Sequence, residues 1–226
     1  MSVKPQPIGA QPGAIPELDF SVEDASTLAY AVVPTIVFRL RVESRNHEPV
    51  RSAQLDIQLQ IAARRRPYDD LAQKRLAEIF GTADRWATTL RTLPWTRTTL
   101  VIPQFEDSTV VDVAVPCTYD LEVVASRYFN ALQSGEIPLE FLFSGTVFYG
   151  GAGGMLQMTR ISWEKEAEYA MPVSVWRETM DRYFPKSAWL RVSDETLERL
   201  DAYKSQQGAA SWDAALDSLL PPAEET

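Results

Sequence analysis

Two runs of nearly strict alternation constrain this chain more than any other feature: Ile36-Val37-Phe38-Arg39-Leu40-Arg41-Val42 and Leu55-Asp56-Ile57-Gln58-Leu59-Gln60-Ile61. Successive side chains of an extended chain point to opposite faces, so each run buries one face and wets the other. That is the signature of antiparallel sheets in a sandwich or barrel.

Around these runs the sequence predicts further strands. Leu18, Phe20 and Val22 alternate with polar residues as a short first strand, and Pro34 opens the stronger strand over 35–43. The turn-forming residues Asn46, His47 and Pro49 are expected to return the chain antiparallel into a strand over 53–63. A helix over 68–80 follows, with Leu71, Leu76, Ile79 and Phe80 along one face and Gly81 as its stop. Residues 86–95, with two tryptophans, read as an irregular stretch over a sheet edge. Strands are expected at 98–103 and 110–115, and a strand over 119–125 leading into a helical turn near Leu132. The apolar segment 138–149 reads as a central strand, the glycine run 150–154 as a hairpin loop, and 155–171 as one long returning strand whose Glu164, Glu166 and Glu168 share a wet face. From Pro172 the periods become helical, with caps at Ser193 and Ser211.

The predicted fold class is therefore mainly β (α+β): an antiparallel immunoglobulin-like β-sandwich with an inserted helix and a C-terminal helical extension. Its domains are a flexible leader over 1–16, a β-sandwich over 17–171, a helical extension over 172–221 packed on the sandwich, and a tail over 222–226.

Composition narrows the chemistry. The formal charge of -9 repels phosphate backbones and anionic membranes, so nucleic acid is disfavoured as a partner. A single cysteine, Cys117, and a single histidine, His47, leave no intramolecular disulfide and no Cys/His zinc spacing; no cofactor or metal is expected. No apolar segment approaches a membrane span or a signal-peptide core, which predicts a cytoplasmic protein. Neither Ser144-Gly145, which lacks a Gly-x-Ser-x-Gly elbow, nor Cys117 among valines, nor the paired carboxylates Asp69-Asp70 and Glu106-Asp107 forms a catalytic or calcium constellation. The chain is read as no enzyme.

Two features remain as candidate contact surfaces. Arg64-Arg65-Arg66, with Arg51, Lys74 and Arg75 nearby, is the one basic cluster and could dock an acidic partner or a nucleic-acid backbone, although Asp69 and Asp70 stand ready to neutralise it. The order strand, helix, glycine, helix over 189–220 resembles the ribbon-helix-helix dimerisation and DNA-binding module, with Trp189, Arg191 and Ser193 as its outward set. Asp194, Glu195, Glu198 and Asp201 would face phosphates there, so a packing or dimerising hairpin, including a homodimer, is the plainer expectation. Six tryptophans, four of them after residue 160, predict aromatic anchoring of the tail.

The segment Trp176-Arg177-Glu178-Thr179-Met180-Asp181-Arg182-Tyr183-Phe184-Pro185, followed by Trp189-Leu190, Leu197, Leu200, Tyr203-Lys204 and Trp212-Asp213-Ala214-Ala215-Leu216, resembles an uncharacterised bacterial family. The match extends back through Leu142-Phe143-Ser144-Gly145-Thr146-Val147-Phe148-Tyr149. Members of that family are often encoded beside high-affinity nickel-iron hydrogenases. The resemblance implies an accessory or maturation role with a hydrogenase subunit or maturation factor as protein partner, and it transfers no site residues. The expected function is a non-enzymatic accessory or assembly protein that binds another polypeptide. The alternatives are a DNA-binding or dimerising regulator through the ribbon-helix-helix-like segment, or a ligand-binding sandwich with exposed Trp or Tyr. Arg65→Glu, or truncation before Trp189, is expected to weaken partner binding.

Overall fold

A computed structural model describes residues 13–118, 123–187 and 191–221. The expected leader and tail fall largely outside these residues, as do the start of the expected 119–125 strand, Trp189 and Leu190. Two compact units divide the chain, Met1–Ala188 and Trp189–Thr226.

The first unit carries β1 (Leu18–Thr27), β2 (Thr35–Ser44), β3 (Val50–Ile61), α1 (Asp70–Phe80), α2 (Trp86–Thr89), β4 (Leu93–Ile102), β5 (Ser108–Pro116), α3 (Val124–Ala131), β6 (Glu136–Gly150), β7 (Leu156–Arg160), β8 (Glu166–Pro172) and α4 (Val173–Tyr183). One sheet has the order β1-β2-β5; the other has β4-β3-β6-β7, with β8 also pairing β6. Every pairing is antiparallel, as the alternation predicted.

The alternating runs bury what they should. Ile36, Phe38, Leu40 and Val42 from β2 and Leu55, Ile57, Leu59 and Ile61 from β3 are fully buried. The two sheets face one another through aromatic pairs: Phe20 of β1 stacks on Phe143 of β6 with ring centroids 4.2 Å apart, and Phe38 meets Phe141 edge-on at 5.1 Å. Removing such a ring leaves a cavity that costs about 3–5 kcal/mol.

Several local expectations are corrected. The turn at 45–49 does not make a hairpin, because β2 and β3 lie in different sheets and the segment crosses between them. Alternation specifies a face and leaves the pairing partner open. Of the expected α1 face, Leu76 and Phe80 are buried but Leu71 is exposed, with Ala72 buried in its place; the helix is capped by Asp69, whose side chain accepts from Ala72 N at 2.7 Å. The stretch 86–95 is a short helix followed by the start of β4, where a register shift opposite Leu59/Gln60 makes Trp95 the extra residue of a bulge. The bulge turns the Trp95 ring towards Phe129 at 4.9 Å and Phe38 at 6.0 Å. Val124–Ala131 is helix, so the strand expected over 119–125 does not reach Val124 and Ala125. The expected long strand over 155–171 is two strands, β7 and β8, which pair with opposite ends of β6, and Glu164 lies between them. The last residues of the expected leader are tied down: Asn46 Nδ2 donates to Ile15 O at 2.8 Å, and Glu17 N donates to Asn46 Oδ1 at 3.1 Å.

Helices α1, α3 and α4 bring an aromatic cluster to the β4 start. Tyr128, Phe129 and Trp176 are buried there, and Trp176 Nε1 donates to Asn130 Oδ1 at 2.8 Å.

The second unit is a helical hairpin of α5 (Asp194–Gln207) and α6 (Trp212–Asp217). Both predicted caps form: Ser193 Oγ accepts from Thr196 N at 3.2 Å, and Ser211 Oγ accepts from Ala214 N at 3.1 Å. Gly208, with φ 62, supplies the left-handed residue that ends α5. Leu197, placed in its apolar stripe, is exposed.

Candidate functional site

The arginine triad is engaged within its own chain. Arg64 Nε donates to the Leu90 carbonyl. Arg65 pairs with Glu168 at 2.6 Å and Glu140 at 2.9 Å. Arg66 donates to the carbonyls of Glu136 at 2.7 Å and Ser134 at 3.2 Å and lies 5.4 Å over the Tyr68 ring. The triad thus fastens the β3 exit to β6, β8 and the α2–β4 connection. Its ionic partners are distant glutamates, and the adjacent Asp69 is occupied as a helix cap. Arg191 is exposed at the start of the described part of the second unit, and Trp189 lies outside the described residues.

The other sequence candidates are quiet. His47 sits in its turn with φ 57, its Nδ1 2.9 Å from Asp107 Oδ1. Cys117 is buried, and burial pushes its thiol up to about 12, the opposite of an activated nucleophile. Tyr68 and Tyr128 hydroxyls are 2.7 Å apart, and burial raises both above the ordinary 10.0. Among the described residues no group of three or more His, Cys, Asp or Glu is placed to hold a metal ion, and no helix is long and apolar enough to cross a membrane.

A different surface stands out at the β7 edge. Two main-chain bonds fix its pattern: Gly151 N donates to Met155 O at 2.8 Å, and Ile161 N donates to Gly145 O at 3.1 Å. These bonds lie at the two ends of the ladder that pairs Tyr149 with Gln157 and Val147 with Thr159. Residues 155, 157, 159 and 161 therefore turn their main-chain groups towards β6, and Leu156, Met158 and Arg160 turn theirs away. Among the described residues β7 pairs with no strand but β6.

The same three residues share the outer face with Phe148, which lies directly opposite Met158. Leu156 is 67% exposed and Met158 72% exposed. Just beyond, the chain leaves the sheet between β7 and β8, and Trp163 stands 87% exposed beside an open notch lined by Ser144, Thr146 and Arg160. Residues 15–17 run past β7 but are held towards the other sheet by Asn46, and Arg45 N donates to Glu17 O at 2.8 Å.

This edge went unseen in sequence because the wrong residues alternate. In β7 the apolar Leu156 and Met158 face out while Gln157 and Thr159 face the body, so the pattern matches a buried strand of opposite parity. The polar turn Ser162-Trp163-Glu164-Lys165 was the available signal that the strand breaks.

The chain finds no match among curated proteins. Solved structures give faint likenesses. A β-glucosidase from Kluyveromyces marxianus is 9% identical over 69% of this chain and 15% of its own, with a TM-score of 0.27. The CARDB domain of a Pyrococcus furiosus protein, solved with di-metal ions, is 8% identical over 75% of this chain and 97% of its own, with a TM-score of 0.28. β-Glucosidase 3B from Thermotoga neapolitana is 10% identical over 69% of this chain and 17% of its own, with a TM-score of 0.24. The chain thus spans under a fifth of either glucosidase, and such scores carry no argument about activity. Sequence is more informative: residues 15–226 match the family described as "Family of unknown function (DUF6084)", and the chain belongs to that family.

Proposed function

We propose that this protein is a non-enzymatic accessory or assembly protein that binds another polypeptide, with the two facing sheets acting as an immunoglobulin-like scaffold. The observation that carries this reading is the β7 edge, where main-chain groups of Leu156, Met158 and Arg160 point outwards beside exposed apolar side chains. A strand edge of this kind is a template for pairing with a second chain. Charged edges are a usual protection, and although β7 is only five residues long, Arg160 alone supplies charge on its outward set. Trp163 adds the residue type that most often anchors interfaces.

The hydrogenase part of the proposal rests on the family resemblance alone. It predicts that the partner is a subunit or maturation factor of a nickel-iron hydrogenase in the cytoplasm. The test is affinity capture from the native host at endogenous expression, comparing the wild-type chain with Met158→Pro. Proline at 158 removes an outward N–H and no bond to β6, so the sheet should persist. Recovery of a hydrogenase component by the wild type and its loss with Met158→Pro is the expected result. Equal recovery by both, or recovery of no protein above background, would end this reading.

A further inference from the structure

We infer that the β7 edge accepts an extended segment of another protein as an added antiparallel strand, and that the segment carries the pattern acid-x-apolar-x-apolar. The inference rests on the accessory reading above and specifies the partner's chemistry at that site.

The pattern follows from register. Leu156, Met158 and Arg160 turn their main-chain groups to the free edge, and their side chains stand on one face of the sheet, the face that alternate side chains of an incoming strand would share. Residues directly opposite one another on a sheet face have Cβ atoms about 4.5–5.5 Å apart, so the three positions of the guest that face them are set. Antiparallel entry matches every other pairing in both sheets. The guest then meets Arg160 first, Met158 two residues later and Leu156 two after that.

Each meeting dictates a chemistry. Arg160 is exposed and, among the described residues, forms no ion pair, so a carboxylate opposite it is the complementary choice. Met158 and Leu156 continue the apolar patch begun by Phe148, so β-branched or aromatic residues opposite them extend its cover. Trp163 lies on the side from which the guest enters and would cover the residue before the acid.

Two other occupants fit less well. A second copy paired antiparallel about Met158 would bring together two chains of formal charge -9 and would set each Arg160 opposite Leu156 of the other copy instead of a carboxylate. The chain's own residues 1–12 contain Pro5, Pro7 and Pro12, and prolines cannot donate to a ladder.

The test uses the full-length, isotope-labelled chain and the synthetic peptide acetyl-Ser-Glu-Thr-Val-Thr-Ile-Ser-amide. Titration should move the amide resonances of Leu156, Met158 and Arg160 and slow their exchange with solvent, and a scrambled peptide should do neither. Arg160→Glu should weaken the peptide by about tenfold and should prefer a peptide in which Lys replaces Glu. Because Arg160 is a surface residue, that reversal is readable even if Met158→Pro fails to fold.

Equal binding of the scrambled peptide, shifts confined to other residues, or no effect of Arg160→Glu would overturn the inference. So would a sedimenting dimer that Arg160→Glu disrupts, or protection of the three amides in the free chain that vanishes when residues 1–12 are deleted. Capture of a host partner that depends on Met158, with no response to the peptide, would leave the accessory role standing and remove only the guest pattern.

Discussion

Arg65 Nη1 lies 2.6 Å from Glu168 Oε1, so a basic residue just past β3 fastens β8 to the sheet. The same guanidinium reaches Glu140 of β6 at 2.9 Å, and the Glu140 side chain is only 20% exposed. Arg65→Glu would place three carboxylates where a bridge now stands, and like charges opposite one another destabilise a sheet. The expected loss is about 1–2 kcal/mol, read as a lower urea midpoint with unchanged slope. If partner capture falls no further than this loss of folded protein explains, the arginine cluster is structural; a larger fall would restore it as a docking surface.

This pair also shows what the amino-acid sequence could and could not convey. That residues 36–42 and 55–61 bury alternate side chains was legible, because the two-residue period is local and each buried position is visible in the string. That β2 and β3 separate into different sheets was not, since nothing in either run names its neighbour. The sequence sets Arg65 close to Asp69, whereas its partners lie 75 and 103 residues further along the chain. The caps at Ser193 and Ser211 were legible because capping is settled within one turn. The β7 edge is invisible for a related reason: exposure of Leu156 and Met158 depends on which end of β6 they join and on the break at 161–165.

Asp19 ties β1 to the segment before β8, accepting from Lys165 Nζ at 2.8 Å and pairing also with Arg45. The Lys165 hydrogen bond, helped by the charges of Lys165 and Arg45, holds its carboxyl below the ordinary 3.8 against the opposing effect of burial. A depressed carboxyl stabilises the fold above its unfolded value and loses that contribution as pH falls through the folded value. Asp19→Asn should therefore be less stable than wild type at neutral pH, by about 1 kcal/mol or less because the site is partly solvated. The two denaturation curves should converge once the pH drops below 3.8. A gap that stays constant through that range would show that the charge contributes nothing.

The hydroxyl pair of Tyr68 and Tyr128 makes the opposite prediction at the alkaline end. Burial is the main cause that raises both, and for Tyr128 the neighbouring Tyr68 adds to it. A raised phenol is neutral in the folded state where the unfolded chain would ionise, so its contribution is present below 10.0 and lost as pH rises above it. Absorbance of phenolate should therefore show a late fraction that appears together with loss of near-ultraviolet circular dichroism. Tyr128→Phe should reduce that late fraction; an ordinary titration of all eight tyrosines in the native protein would contradict the burial.

Gly145 sits in the middle of β6 with φ 142, a conformation that side chains rarely adopt. A Cβ there would approach the Gln54 carbonyl oxygen to 2.0 Å, against the backbone of the neighbouring β3. Neither strand can retreat without breaking the ladder that holds the larger sheet together. Gly145→Ala is expected to cost about 3 kcal/mol or more, seen as a large fall in the denaturation midpoint or as insoluble expression. A stability within about 0.5 kcal/mol of wild type would contradict the close approach of β6 to Gln54 at this point.

Trp163 offers the cleanest separation of contact from stability. Its ring is 87% exposed, so Trp163→Ala removes little apolar burial and should leave the urea midpoint within about 0.5 kcal/mol of wild type. Among the described tryptophans the Trp163 indole is the most exposed, against 40% for Trp212 and 1% for Trp176, so the variant should emit further to the blue and be quenched less by iodide. If the β7 edge and its notch bind a polypeptide, the same change should weaken the captured partner by about tenfold, the loss of one anchoring aromatic. Full retention of partner together with unaltered stability would leave Trp163 as an ordinary exposed side chain and confine any docking to the strand edge itself.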